Sequence, residues 1–150
     1  MNLYPTPAFH FKVKIEGAPA TADASFEEVD GIGATIHTEQ LQGGGDNGFT
    51  RYAPKSVTFP KLVLKRGVTS MDSDLVQWCQ DTIMNWLDQS KVVRRQVLVH
   101  LLDEKGAPRY AWRFAEAFPV DWKLGAFNAR KNEVAMETVQ LVYSYWMREM

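Results

Sequence analysis

Three histidines, one cysteine, a glycine-rich loop and a few acidic and basic pairs are the residues of this 150-residue chain whose types could do chemistry. His10, His37 and His100 sit in separate strand-like stretches, at polar-phase or mixed positions. Imidazoles scattered in this way read as surface or interface residues rather than as metal ligands or bases. Cys79 lies within an apolar stripe at helical spacing, which makes it a buried, inert thiol rather than a nucleophile. The loop Gly43–Gly48, GGGDNG, has the glycine content of a phosphate cradle, but no helix follows it and no Lys-Ser/Thr pair closes it, so the structural context of such a cradle is missing. Lys65-Arg66 and Arg94-Arg95 read as solvated or ion-paired faces, and Asp103-Glu104 belong to a turn. No catalytic residue, cofactor site or metal site is assigned, and an enzyme is not expected.

The bulk properties narrow the alternatives further. A chain of this length is of single-domain size and can bury one core without staples. Hydrophobic residues make up 45% and charged residues 23%, so a folded globular state is expected. The formal net charge of −1 gives no electrostatic case for nucleic acid or an anionic membrane surface as principal partner. A single cysteine excludes an internal disulfide framework and fits synthesis in a reducing cytoplasm. No apolar run is long enough to span a bilayer, and the start MNLYPTPAFHFKV lacks a basic region followed by an apolar stretch, so Sec-type export and stable membrane insertion are not expected. Eight Phe, five Tyr and five Trp form a large aromatic complement, which favours a chain that buries surface against partners.

Taken in order, Phe9, Phe11, Val13 and Ile15 alternate with His10, Lys12 and Lys14, the pattern of a strand with one face on a core. A loop over Gly17–Ser25 leads to a short strand at Phe26–Asp30, where Gly31 and Gly33 point to a bulge or a tight approach of backbones. Ala34–Gln40 is extended. Leu41–Lys55, with four glycines between 43 and 48, is costly to order in isolation. It carries Phe49, Arg51 and Tyr52, residue types enriched in interface hot spots, and reads either as an arm that orders against a neighbour or as a floppy hairpin tip. Val57–Arg66 is strand-like, with Pro60 marking a bulge or edge.

Ser70–Gln89 is the one helix, capped by Ser70 or Asp72, with Leu75, Cys79, Ile83, Trp86 and Leu87 as its apolar stripe and Val76 and Trp78 widening it. That stripe is wide enough to cover an opening in a sheet. Strands at Val92–Leu102 and Arg109–Ala115 flank a hairpin loop in which Gly106 is expected at positive φ. Tyr110, Trp112 and Phe114 share one face of the second of these strands. The sum is a mainly β (α+β) fold: one antiparallel barrel or sandwich of about seven strands, with one helix over about 70–89 packed on it.

The last stretch, Ala117–Tyr145, reads as a strand-like run to Lys123, a loop, and a long strand from Glu133 to about Tyr145. In that strand Ala135, Glu137, Val139 and Leu141 share one face, and Val134, Met136, Thr138 and Gln140 the other. Both faces are mixed, so both meet protein, or one meets protein and one a water-filled lumen. Ala-Phe-Pro-Val (117–120), Phe-Asn-Ala (127–129) and Asn-Glu-Val-Ala-Met-Glu-Thr-Val-Gln-Leu (132–141) resemble the closing segment of the tail tube proteins of contractile phages and of phage-derived contractile injection systems. Phe-His-Phe-Lys-Val (9–13), Phe-Glu-Glu-Val-Asp-Gly-Ile (26–32), the glycine arm with Tyr-Ala-Pro-Lys (52–55) and Leu-Lys-Arg-Gly-Val (64–68) follow the same family in order and spacing.

The resemblance implies a β-barrel-like sandwich with a flanking helix, six-fold rings of self-associating subunits, and a hollow tube driven through a target envelope by a contracting sheath. The implied partners are further copies of the chain, the sheath protein, baseplate and spike-hub proteins, and effector cargo in the lumen. The implied location is a particle assembled in the bacterial cytoplasm. Strand edges left unpaired in one subunit could pair with the next, and the arm at about 41–55 would reach a neighbour. The candidate interface residues are Gly43, Gly44, Gly45, Phe49, Arg51 and Tyr52 on the arm, with Glu133, Glu137, Tyr143, Tyr145 and Trp146 near the end of the chain. The aromatic run Leu141–Met147 also resembles the specialised relatives that start the tube at a baseplate. A soluble β-barrel ligand-binding module is the third reading.

Overall fold

The structure is a computed structural model that describes residues 10–17, 23–42, 48–67, 73–126, 130 and 135–150, those at 23–25 by backbone only. Its ten strands are β1 (His10–Ile15), β2 (Asp23–Phe26), β3 (Glu28–Asp30), β4 (Thr35–Leu41), β5 (Arg51–Thr58), β6 (Leu62–Gly67), β7 (Arg95–Leu102), β8 (Pro108–Leu124), β9 (Met136–Val142) and β10 (Tyr145–Arg148). One α-helix, α1 (Asp74–Met84), lies between β6 and β7. Eight strands form one antiparallel sheet in the order β2-β1-β7-β8-β9-β6-β3, with β10 also paired to β8, while β4 and β5 pair only with each other. The two ends of that order, β2 and β3, are separated by the single residue Glu27, whose N–H donates to the Lys65 carbonyl at 2.9 Å. The sheet therefore curls into a half-barrel, and the mainly β fold with one flanking helix is as the sequence implies.

The alternation in β1 does what its pattern requires: Val13 and Ile15 are buried, and His10, Lys12 and Lys14 are exposed. Val13 pairs with Val99 and Ile15 with Val97; Val97 pairs in turn with Phe114. On the other flank Leu62 faces Leu141 and Leu64 faces Val139. These side chains point into the curl and meet Leu75, Trp78 and Cys79 of the helix in one cluster. Fully burying an aliphatic side chain is worth about 1.5–3 kcal/mol, so this apolar interior is the main source of stability. The expectation that the helix covers the sheet holds, with α1 packing on β8.

The boundaries differ from expectation in four places. Ser73 caps the helix, its side chain accepting from the Val76 N–H, and the helix stops at Asn85, whose side-chain amide donates to the Asp81 carbonyl at 2.8 Å. Ser70 and Asp72 lie outside the described residues. Trp86 and Leu87 fall beyond this cap and are exposed rather than part of the apolar stripe. Arg109–Ala115 and Ala117–Lys123 merge into the single 17-residue β8, which bends at Glu116, a non-glycine residue at φ 53°. The long terminal strand divides instead: β9 ends at Val142 and β10 begins at Tyr145, opposite the bend, where the Ser144 hydroxyl donates to the Glu116 carboxylate at 2.6 Å. Val57–Arg66 divides as well, into β5 and β6, around Phe59–Lys61.

Two glycines do what the sequence requires. Gly106 turns the β7–β8 hairpin at φ 82°. At Gly31, with φ 90°, an added Cβ would lie 2.0 Å from the Lys61 carbonyl oxygen, so only glycine lets these two backbones approach.

Candidate functional site: the assembly surfaces

The residues with the types for chemistry are not brought together. His10 and His37 are exposed on β1 and β4, and the His37 ring shares a 2.9 Å hydrogen bond with Thr58 across the β4–β5 pair. His100 faces Lys12 across β1 and β7; its pKa is lowered first by burial and then by the charge of Lys12. Cys79, the single cysteine, is buried, the environment of an inert thiol. Asp103 accepts from the backbone N–H groups of Lys105 and Ala107, each at 2.9 Å, so it shapes the hairpin turn. These hydrogen bonds, Ala107 foremost, hold its carboxyl below the usual range. Among the described residues no group of three or more His, Cys, Asp or Glu is placed to hold a metal ion.

The distinctive feature is an arm. All seven residues of β4 are exposed, and so are all of β5 except Ala53. Ile36, Leu41, Tyr52 and Val57 are 58%, 48%, 60% and 51% exposed. A two-stranded hairpin with no face on a core is at best marginally stable in water, and large exposed apolar side chains mark an interaction surface. The strand pair runs back from Leu41 and Arg51 to Thr35 and Thr58, beyond the 41–55 span that the composition marks.

The predicted interface residues separate into five groups. Gly43, Gly44, Gly45 and Glu133 lie outside the described residues. Phe49, Arg51 and Tyr52 are exposed at the tip side of the arm, Phe49 at 84%. Tyr145 is exposed on β10, a strand paired on one side only, to β8. Glu137 needs correction: it is 2% exposed inside the barrel and has no surface to offer a neighbour. It sits opposite Arg66 in the β6–β9 register, where the apolar inward pairs give way to a charged one. The Arg66 Nε lies 3.5 Å from its carboxylate, and the Trp122 indole donates to the same carboxylate at 2.6 Å. Arg66 also stacks over the Phe26 ring at 4.7 Å and donates to the Ser73 hydroxyl at 2.7 Å, so it joins two strands to the helix cap. Of the expected basic pair only Lys65 faces outward, bridged to Glu28 at 3.1 Å.

Tyr143 and Trp146 form the fifth group, and both reach the base of the arm. The Tyr143 hydroxyl donates to the Pro60 carbonyl at 2.7 Å, just past the end of β5, and its ring lies 5.8 Å from Phe59 and 4.9 Å, edge-on, from the core residue Phe114. The Trp146 indole donates to the Gly33 carbonyl at 2.8 Å, just before β4 begins. Burial pushes the Tyr143 hydroxyl up to about 12. Aromatic content near the terminus is visible in the sequence, but nothing local links it to residues 83 and 113 positions earlier. Beyond the helix, Met84, Trp86 and Leu87 form a second exposed apolar cluster beside a groove of about 450 Å³ lined by Trp86, Val92, Arg94, Phe118 and Val120.

The described residues thus form one curled sheet with a helix packed on it and a separate two-stranded arm, β4–β5, that pairs with no other described strand. A model of the T4-like virus tail tube protein gp19 family matches residues 7–147, and the chain belongs to that family. No curated protein matches. Among solved structures, a chain of the anti-feeding prophage baseplate is 24% identical, with a TM-score of 0.73 over 99% of this chain and 97% of that one. A chain of the sheath–tube complex of an extracellular contractile injection system in its extended state is 20% identical, with a TM-score of 0.75 over 98% and 93%. Hcp1 from Salmonella typhimurium is more distant, at 15% identity and a TM-score of 0.55 over 95% and 86%. This is a structural tube protein.

Proposed function

We propose that the chain is the bulk inner-tube subunit of a contractile injection system or phage tail, closing head-to-tail into six-fold rings that stack into a hollow tube. The observation that carries this reading is the arm, a strand pair exposed on both faces with apolar side chains that no other described residues cover. Head-to-tail contacts generate rings when the rotation closes and filaments when it does not. The tube would be driven through a target envelope on sheath contraction, with the sheath protein and baseplate hub as further partners and cargo in the lumen. Its role is mechanical, without catalysis, in a particle assembled in the cytoplasm. The family membership and the likeness to a chain of a sheath–tube complex support this reading.

A second reading, a tube-initiating ring that joins the spike hub to the first tube ring, draws support from the baseplate chain at 24% identity. Negative-stain electron microscopy of the purified protein across a concentration series, with mass measured in parallel, separates the two. Long hollow tubes or stacked six-fold rings identify the bulk subunit. Rings that refuse to stack, or a monomer that associates only when a hub protein is added, identify the initiator. A monomer indifferent to every tail component sinks both.

A further inference from the structure

The arm joins the barrel through two feet outside any strand, residues 31–34 and 59–61, and among the described residues β4 and β5 pair with no other strand. A lever held in that way swings about its feet unless something fixes both. Both are fixed by the same short segment from the far end of the chain. Tyr143 donates to the carbonyl of Pro60 on the outgoing foot, and Trp146 donates to the carbonyl of Gly33 on the incoming foot. The segment is itself anchored to the barrel: the Tyr143 ring rests edge-on against the fully buried Phe114, and β10 is paired to β8 from Tyr145↔Ala115 to Arg148↔Trp112. The break between β9 and β10 puts both side chains where they are needed, since the Ser144 N–H donates to Ala115 and its hydroxyl to Glu116 at the bend of β8.

We infer that Tyr143 and Trp146 are positioning residues that clamp the two feet of the arm and so set the angle at which it meets a second copy of this chain. Neither residue need touch the neighbour. The inference rests on the arm's role in assembly proposed above. Its physical content is preorganisation: a free arm must surrender its swing on docking, whereas a clamped arm has given it up on folding. The clamp also joins the arm to β10, whose outer edge is unpaired in the subunit, so whatever displaces β10 moves the arm with it.

The test is Tyr143→Phe, which keeps the ring but removes the hydroxyl donor, alone and combined with Trp146→Phe. Spin labels at Phe49→Cys on the arm and Glu104→Cys on the β7–β8 turn report the arm angle by double electron–electron resonance, the buried Cys79 staying unlabelled. In the unassembled protein the distance distribution should broaden in Tyr143→Phe and broaden further in the double variant, while the thermal midpoint of the barrel barely moves. The concentration at which rings appear should rise about tenfold or more, as expected when an ordering step is returned to the association. An unchanged distribution overturns the clamp, as does one that broadens only together with loss of the barrel's thermal transition. A broadened distribution with unchanged assembly overturns its role in docking. If the unmodified protein never assembles, the tube reading fails, and the distance measurement still decides the clamp. If the double variant does not fold, Tyr143→Phe alone carries the same outcomes.

Discussion

The barrel interior and the arm are built from the same kind of element and treat it in opposite ways. In β6 and β9 every second residue is buried, from the Leu62–Leu141 pair through Leu64–Val139 to Arg66–Glu137. In β4 and β5 the antiparallel register runs from Thr35↔Thr58 to Leu41↔Arg51 with scarcely a residue hidden. Pairing alone therefore does not make a core; a strand pair is stabilised by what covers its faces. Inside the barrel that cover is the helix and the opposing sheet. For the arm no described residue supplies it, and under the function proposed above a neighbouring copy would.

The contrast can be broken hardest in the interior. Phe114→Ala, at a fully buried position, should lose about 3–5 kcal/mol in chemical denaturation; a loss below about 1 kcal/mol would mean that the cluster repacks freely. Arg66→Met should cost about 3–5 kcal/mol, since it leaves the Glu137 carboxylate buried without its counter-charge. Arg66→Met with Glu137→Leu should recover most of that loss, because an apolar pair would continue the inward row. Additive losses in the two single variants would show that the two side chains are not energetically coupled.

At the junction of the two regions, Gly31→Ala should cost about 2–4 kcal/mol, since the added carbon meets the Lys61 carbonyl and the backbone must shift. A neutral result would show that the foot is loose. The pH dependence sharpens the same boundary. Folding raises the Tyr143 hydroxyl above its ordinary value, to about 12, by burial. The folded state thus holds that proton more tightly than the unfolded chain does. This contribution to stability is complete below the unfolded pKa near 10 and is lost as the pH rises towards 12. Denaturation at stepped pH should show this fall, and Tyr143→Phe should remove it.

The smallest effect on stability belongs to the arm. Ile36→Ser with Val57→Ser, both exposed, should change the unfolding free energy by less than about 0.5 kcal/mol, yet abolish ring or tube formation in negative stain. Assembly that survives these changes would remove the arm from the interface.

Much of the fold is legible because it is local. The alternation of β1, the β7–β8 hairpin with Gly106 at its turn, and the helix stripe Leu75, Val76, Trp78 and Cys79 all follow from residues within a few positions of one another. What misleads is equally local. Trp86 and Leu87 continue the helical spacing, but Asn85 ends the helix before them. Glu137 looks like a surface charge because its partner Arg66 lies far away in sequence.

The class of the fold, a helix between the sixth and seventh strands and the family resemblance could all be read from the sequence. The tertiary structure alone decided that two strand runs merge into β8 and that another divides at its bend. It also decided that β4 and β5 pair with no other described strand, and that Tyr143 and Trp146 hydrogen-bond to the backbone at Pro60 and Gly33. The physical reason is one of range. Periodicity and turn chemistry are written in neighbouring residues, whereas a hydrogen bond between positions 83 or 113 apart exists only once the sheet has curled and brought them together.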